Sequence, residues 1–161
     1  MKRCYVLIFV FSFSCKTLSP QTKTLLSEKV HPKKFLVGGI NNLKSNDGDC
    51  GPAALAMVLT WAGKKISMDE IKPKVITPDK EGSLPTDIIA TARSLGMLTF
   101  KVKDLTSIVR SVKAGNPVIA FFNMGFPNLP IWHYVVVVGY DLERQQFNLF
   151  SGNEEIGRAH V

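Results

Sequence analysis

From Cys50 to Gly63 (CGPAALAMVLTWAG) no side chain carries a charge. The stretch Ala53–Ala62 is apolar on nearly every side, which predicts a helix buried in a core. Pro52 suits the first turn of such a helix, where its missing N–H is of no consequence, and Gly63 is a natural stop. Ser67-Met68-Asp69-Glu70 then reads as a capping box ahead of Ile71 and Val75, so a short second helix follows, with Pro73 limiting its length. Pro78–Pro85 (PDKEGSLP) is a turn-rich loop. Ser83 or Thr86 is expected to open a third helix, with Leu84, Ile88, Ala92 and Leu95 on one face and Gly96 as its stop. Leu98–Val102 predicts a strand, and Asp104 caps a fourth helix that carries Leu105, Ile108, Val109 and Val112 and ends at Gly115.

Beyond that point the period changes. Pro117–Phe122 and Trp132–Tyr140 are β-branched and aromatic, hence strands, with Gly125–Pro130 as the loop between them. Asp141–Gln145 is a turn, and Gln146–Ser151 completes a hairpin. Helices first and antiparallel strands after predict an α+β domain with the first helix packed on a sheet.

The two ends modify this picture. Lys2 and Arg3, followed by the apolar Cys4–Ser14, read as an export signal over residues 1–14 that is too short to span a bilayer. Ser12 and Ser14 are the small residues ahead of a cleavage point, and Cys15 then stands where a bacterial lipoprotein carries its lipid. Localisation in the cell envelope, with a membrane held through a lipid on Cys15, is the expectation. Residues 15–36 read as a polar tether that includes His31, and residues 37–154 as the domain proper. At the other end, one back-translation of Glu155–Val161 (EIGRAHV) matches a common sequencing adapter. Residues 155–161 are therefore expected to be an artefact without defined structure, on a domain cut short. His160 is given no role.

The 161 residues are 45% apolar and 20% charged, the balance of one globular domain. The formal charge of +7 falls to +5 once Lys2, Arg3, Glu155 and Arg158 are set aside. The remaining lysines are dispersed, without a basic stripe or interleaved aromatics, so nucleic acid is not an expected partner. No Cys/His cluster has metal-ligand spacing and no glycine loop is built for a phosphate, so no cofactor is expected.

Of three cysteines, Cys4 leaves with the signal and Cys15 is lipidated or tethered. Cys50 is left as a lone thiol at a helix N-terminus, where free N–H groups and the helix dipole favour a thiolate. Of three histidines, His133 remains, near the start of the strongest strand. A thiol at a helix head facing an imidazole on an adjoining sheet is the arrangement that nucleophilic cysteine chemistry requires.

Asp49-Cys50-Gly51-Pro52-Ala53-Ala54 resembles the active-site motif of the papain-like, bacteriocin-processing (double-glycine leader) cysteine peptidases, in particular their exported single-domain branch. Gly82-Ser83-Leu84, Ala114-Gly115-Asn116-Pro117-Val118 and His133 to Asp141 (HYVVVVGYD) follow in the family's order, so the resemblance spans roughly 37–153. It implies a papain-like fold, a peptide or protein substrate, Cys50 as nucleophile and His133 as general base and acid. Two departures stand out. Lys44 and Ser45 occupy the positions of the family's oxyanion Gln, and the nearest amides are Asn46 and Asn42. The residue that orients the imidazole falls to Ser151 or Asn153, with Asn148 a weaker candidate. The expected function is thus an exported thiol peptidase. The alternatives are a peptide-binding member without turnover and a cell-wall peptide hydrolase.

Overall fold

The computed structural model describes residues 3–8, 20–27, 32–46, 48–77, 82–152 and 157–160. In chain order the elements are β1 (Arg3–Ile8), α1 (Pro20–Ser27), β2 (Lys34–Leu36), α2 (Cys50–Trp61), α3 (Met68–Val75), β3 (Ile76–Thr77), β4 (Gly82–Ser83), α4 (Pro85–Ser94), β5 (Leu98–Val102), α5 (Leu105–Lys113), β6 (Val118–Asn123), β7 (Trp132–Asp141), β8 (Gln146–Phe150) and β9 (Gly157–His160).

The α+β plan holds, and β7 is its axis. Four consecutive valines, Val135–Val138, favour extended backbone, and every residue from Tyr134 to Tyr140 is buried. Strand β7 pairs antiparallel with β6 along its first half and with β2 along its last three residues, while β8 lines the other edge. The sheet runs β5-β1-β6-β7-β8-β9. Helices α2 and α5 both pack on β7, and Tyr134–Tyr140 is buried at every position instead of at alternate ones.

Helix α2 is as buried as its composition demands, with Gly51 to Leu59 all inaccessible. Gly63 closes it in the left-handed region (φ 86°), and the Lys64 N–H reaches back to the Leu59 carbonyl at 2.9 Å. The capping box of α3 is present: the Glu70 N–H donates to Ser67 Oγ, and the Ser67 N–H donates to the Glu70 carboxylate at 2.8 Å. Asp104 caps α5 by accepting from the Ser107 N–H at 2.7 Å.

Three segments differ from expectation. Neither Ser83 nor Thr86 caps α4, which begins with Pro85 in its first turn after Leu84, while Ser83 turns inward. The stretch expected to be a tether contains α1, whose Leu25 is fully buried and which packs on α5. A short apolar pair among polar residues gives too little periodicity to reveal it. The backbone of Gly157–His160, expected to be unstructured, pairs antiparallel with β8. The head of the expected export signal is also placed: Arg3–Ile8 lies parallel between β5 and β6, paired with both. Removal of this segment would leave those two strands without the one between them.

Candidate active site

The site is built on the head of α2. Cys50 is its first residue, half-buried and with a free thiol. Asp49, directly before it, is only 4% exposed. Its carboxylate does not cap the helix but binds Lys72 of α3, with Nζ at 2.8 Å from each oxygen. The Asp49 carbonyl accepts from the Ala53 N–H at 2.9 Å, and its own N–H donates to the Asn46 carbonyl at 3.1 Å. These bonds and the ion pair fix the residue ahead of the thiol from two directions.

Gly51 is needed for close packing. A Cβ there would come within 2.6 Å of Ser83 Cβ and 3.4 Å of the Tyr134 ring. Ser83 is wedged against the helix head, its hydroxyl buried and without a hydrogen-bond partner, while its carbonyl accepts from the Tyr134 hydroxyl at 3.1 Å. Burial, with Cys50 and the Asp87 carboxylate nearby, pushes the Tyr134 phenol far above its usual range. Tyr134 is therefore the residue of β7 that meets the head of α2.

His133 precedes it, half-buried, with its ring edge-on to Phe122 across the strand pair (centroids 6.5 Å apart, 89°). Burial lowers its pKa, opposed by a hydrogen bond to the Ser151 backbone. The loop before the cysteine comes back to the same place. The Ser45 N–H donates to the Gly152 carbonyl at 3.1 Å, and Gly152, at φ 86°, has no room for a Cβ beside Ser45. The loop that leads to Cys50 and the segment that follows β8 are thereby tied together at Ser45 and Gly152. No hydrogen bond joins Cys50 to His133 among the described residues, a contact that in such sites commonly tightens only with substrate bound.

The remaining sequence candidates separate clearly. Ser151 is half-buried just past β8, and its backbone, not its hydroxyl, bears on the pKa of His133. Asn148 pairs with Gly139, six residues along β7 from His133 and so roughly 20 Å away. Asn46 is exposed at the turn before the cysteine, and Asn42 is half-buried further upstream. Asn153 and Cys15 lie outside the described residues. The sequence reading missed Lys72, Ser83 and Tyr134 as builders of the site. Lys72 looks like any other lysine on the polar face of a short helix, and only the position of Asp49 beside the cysteine hinted at a partner. Among the described residues no three His, Cys, Asp or Glu side chains group as a metal site would require.

A cysteine heading a buried helix, laid on an antiparallel strand that carries a histidine, defines the papain-like cysteine peptidase class of fold. The Peptidase_C39 like family profile matches residues 37–153. The chain belongs to that family. Solved structures that share the fold include the following two. One is the peptidase domain of Streptococcus ComA, a bi-functional ABC transporter involved in a quorum-sensing pathway: 24% identity, TM-score 0.61, covering 76% of this chain and 87% of that one. The other is a C39-like peptidase from Bacillus anthracis: 17% identity, TM-score 0.57, covering 79% and 88%. No curated protein matches.

Proposed function

We propose that this chain is a thiol peptidase that acts through Cys50 and His133. The observation that carries the proposal is the placement of Cys50 at the head of α2, where the next residue, Gly51, packs against Tyr134, the neighbour of His133 on β7. His133 takes the thiol proton as Cys50 Sγ attacks the substrate carbonyl carbon. The tetrahedral oxyanion is met by the Cys50 backbone N–H and by the side-chain amide of Asn46, swung in from the turn. His133 then gives its proton to the leaving amine, and the C–N bond breaks to leave a thioester. Water, deprotonated by His133, attacks that thioester and releases the carboxylic acid and the thiol. The expected location is the cell envelope, where removal of residues 1–14 and lipidation of Cys15 would take β1 out of the sheet from between β5 and β6.

A second reading, a peptide binder without turnover, draws on the absence of a Gln at Lys44 or Ser45 and the exposure of Asn46. One experiment separates the two: the full chain and its Cys50→Ala variant are incubated with a peptide library, with products followed by mass spectrometry. Cleavage by the parent only supports the peptidase. Binding by both without cleavage supports the second reading.

A further inference from the structure

The loop between β6 and β7 exposes what the rest of the molecule hides. Phe126 is 72% exposed and Leu129 68%, with Met124, Ile131 and Trp132 also exposed. This tip has a built backbone. Phe126 and Leu129 exchange two backbone hydrogen bonds of 3.1 Å, and the Met124 N–H donates to the Ile131 carbonyl at 2.7 Å. Asn123 Oδ1 accepts from the N–H groups of Gly125 and Ile131, each at 2.8 Å. At its base Trp132 stacks on Phe121, with centroids 4.9 Å apart. From Ala114 to Tyr140 the chain holds no formal charge.

An exposed apolar cluster of this size marks an interaction surface, and its form narrows the partner. It is a projecting hairpin, with large side chains pointing outward and a tryptophan where apolar tip meets body. Tryptophan is enriched at membrane–water interfaces, where one face is apolar and the other wet. The surrounding charge agrees. Strand β5 ends at the same end of the sheet as β6, since both run parallel to β1, and Lys101 and Lys103 are exposed there. Lys44 is exposed beside Ser45, which is bonded to Gly152 just past the end of β8. Positive side chains around an uncharged apolar tip complement an anionic lipid surface.

We propose that the tip Met124–Trp132 inserts into the interfacial layer of an anionic lipid bilayer. His133 follows Trp132 directly, so insertion brings the candidate active site to the membrane surface, where it would meet membrane-associated peptides. The proposal stands independently of whether Cys15 carries a lipid and of whether Cys50 cleaves.

The test uses the full chain with Cys15→Ser, so that no acyl chain contributes, and reads co-sedimentation with vesicles. Vesicles of phosphatidylcholine and phosphatidylglycerol should bind it more tightly than phosphatidylcholine vesicles, with a blue shift of tryptophan emission. Phe126→Ser with Leu129→Ser should weaken binding by about tenfold or more, at an unchanged thermal midpoint because both side chains are exposed. Cys50→Ala should bind as the parent does, which separates this test from the peptidase assay. Absence of vesicle binding by the parent, or equal binding by the double variant, overturns the proposal. So does a tip that captures apolar peptides or a second copy of the chain in place of vesicles.

Discussion

The two halves of the candidate site are held by different means. On the nucleophile side, Cys50 is fixed by a helix buried from Gly51 to Leu59, by the Asp49–Lys72 ion pair and by the packing of Ser83 on Gly51. On the base side, His133 is half-buried near the start of β7, where the Ser151 backbone bears on its pKa. One half is secured by core packing and a charge pair whose carboxylate is buried, the other by the path of the chain after β8. Disturbing the first should therefore lower stability and activity together. Disturbing side chains around the second should leave the fold intact.

After loss of Cys50 or His133, the largest effect on turnover is expected at Asn46. If it supplies the second oxyanion donor, Asn46→Ala lowers kcat by about 10²-fold with KM nearly unchanged, while thermal unfolding stays where it was because the side chain is exposed. Cleavage at the parental rate would remove Asn46 from the mechanism. Next comes Lys72→Met, which leaves the Asp49 carboxylate buried without its partner. A loss of about 2 kcal/mol in urea unfolding is expected, below the usual range for a buried pair because Lys72 is itself half exposed. Lys72→Arg should recover most of it, and an unchanged midpoint in Lys72→Met would show that the pair fixes nothing.

A smaller effect is expected from pH. The pKa of His133 is lowered in the fold, so between the unfolded value near 6.5 and its folded value the unfolded chain binds the extra proton. Its contribution to stability is full above about pH 6.5 and declines as pH falls through that window. Unfolding midpoints measured across it should fall less steeply in His133→Gln than in the parent. The smallest effect is predicted at Ser151. Because the backbone does the work, Ser151→Ala should change turnover by less than about twofold. A large loss would return the role to the hydroxyl.

Much of this site could be read from the sequence because its strongest signals are local. The uncharged run after Asp49 announced α2, the Ser67–Glu70 spacing announced the start of α3, and the valine run announced β7. The contacts that complete the site are not local. Asp49 meets Lys72 across 23 positions and Tyr134 meets Ser83 across 51, and no periodicity encodes which lysine or which serine is chosen. A backbone acceptor at Ser151 leaves no mark on residue type at all, so side chains there were considered in its place. Arg3–Ile8 is the opposite case: an apolar run after two cations satisfies an export signal and a β-strand equally well, and composition does not distinguish them.

The central claim, that Cys50 is a nucleophile activated by His133, is tested most directly by the rate at which iodoacetamide alkylates Cys50 at neutral pH. The rate is read on the Cys50 peptide by mass spectrometry, in the full chain and in His133→Ala. The account predicts that the parent reacts about tenfold faster or more, with both proteins equally folded. Equal rates would mean that the imidazole does nothing for the thiol, and the peptidase mechanism proposed for this chain would be contradicted.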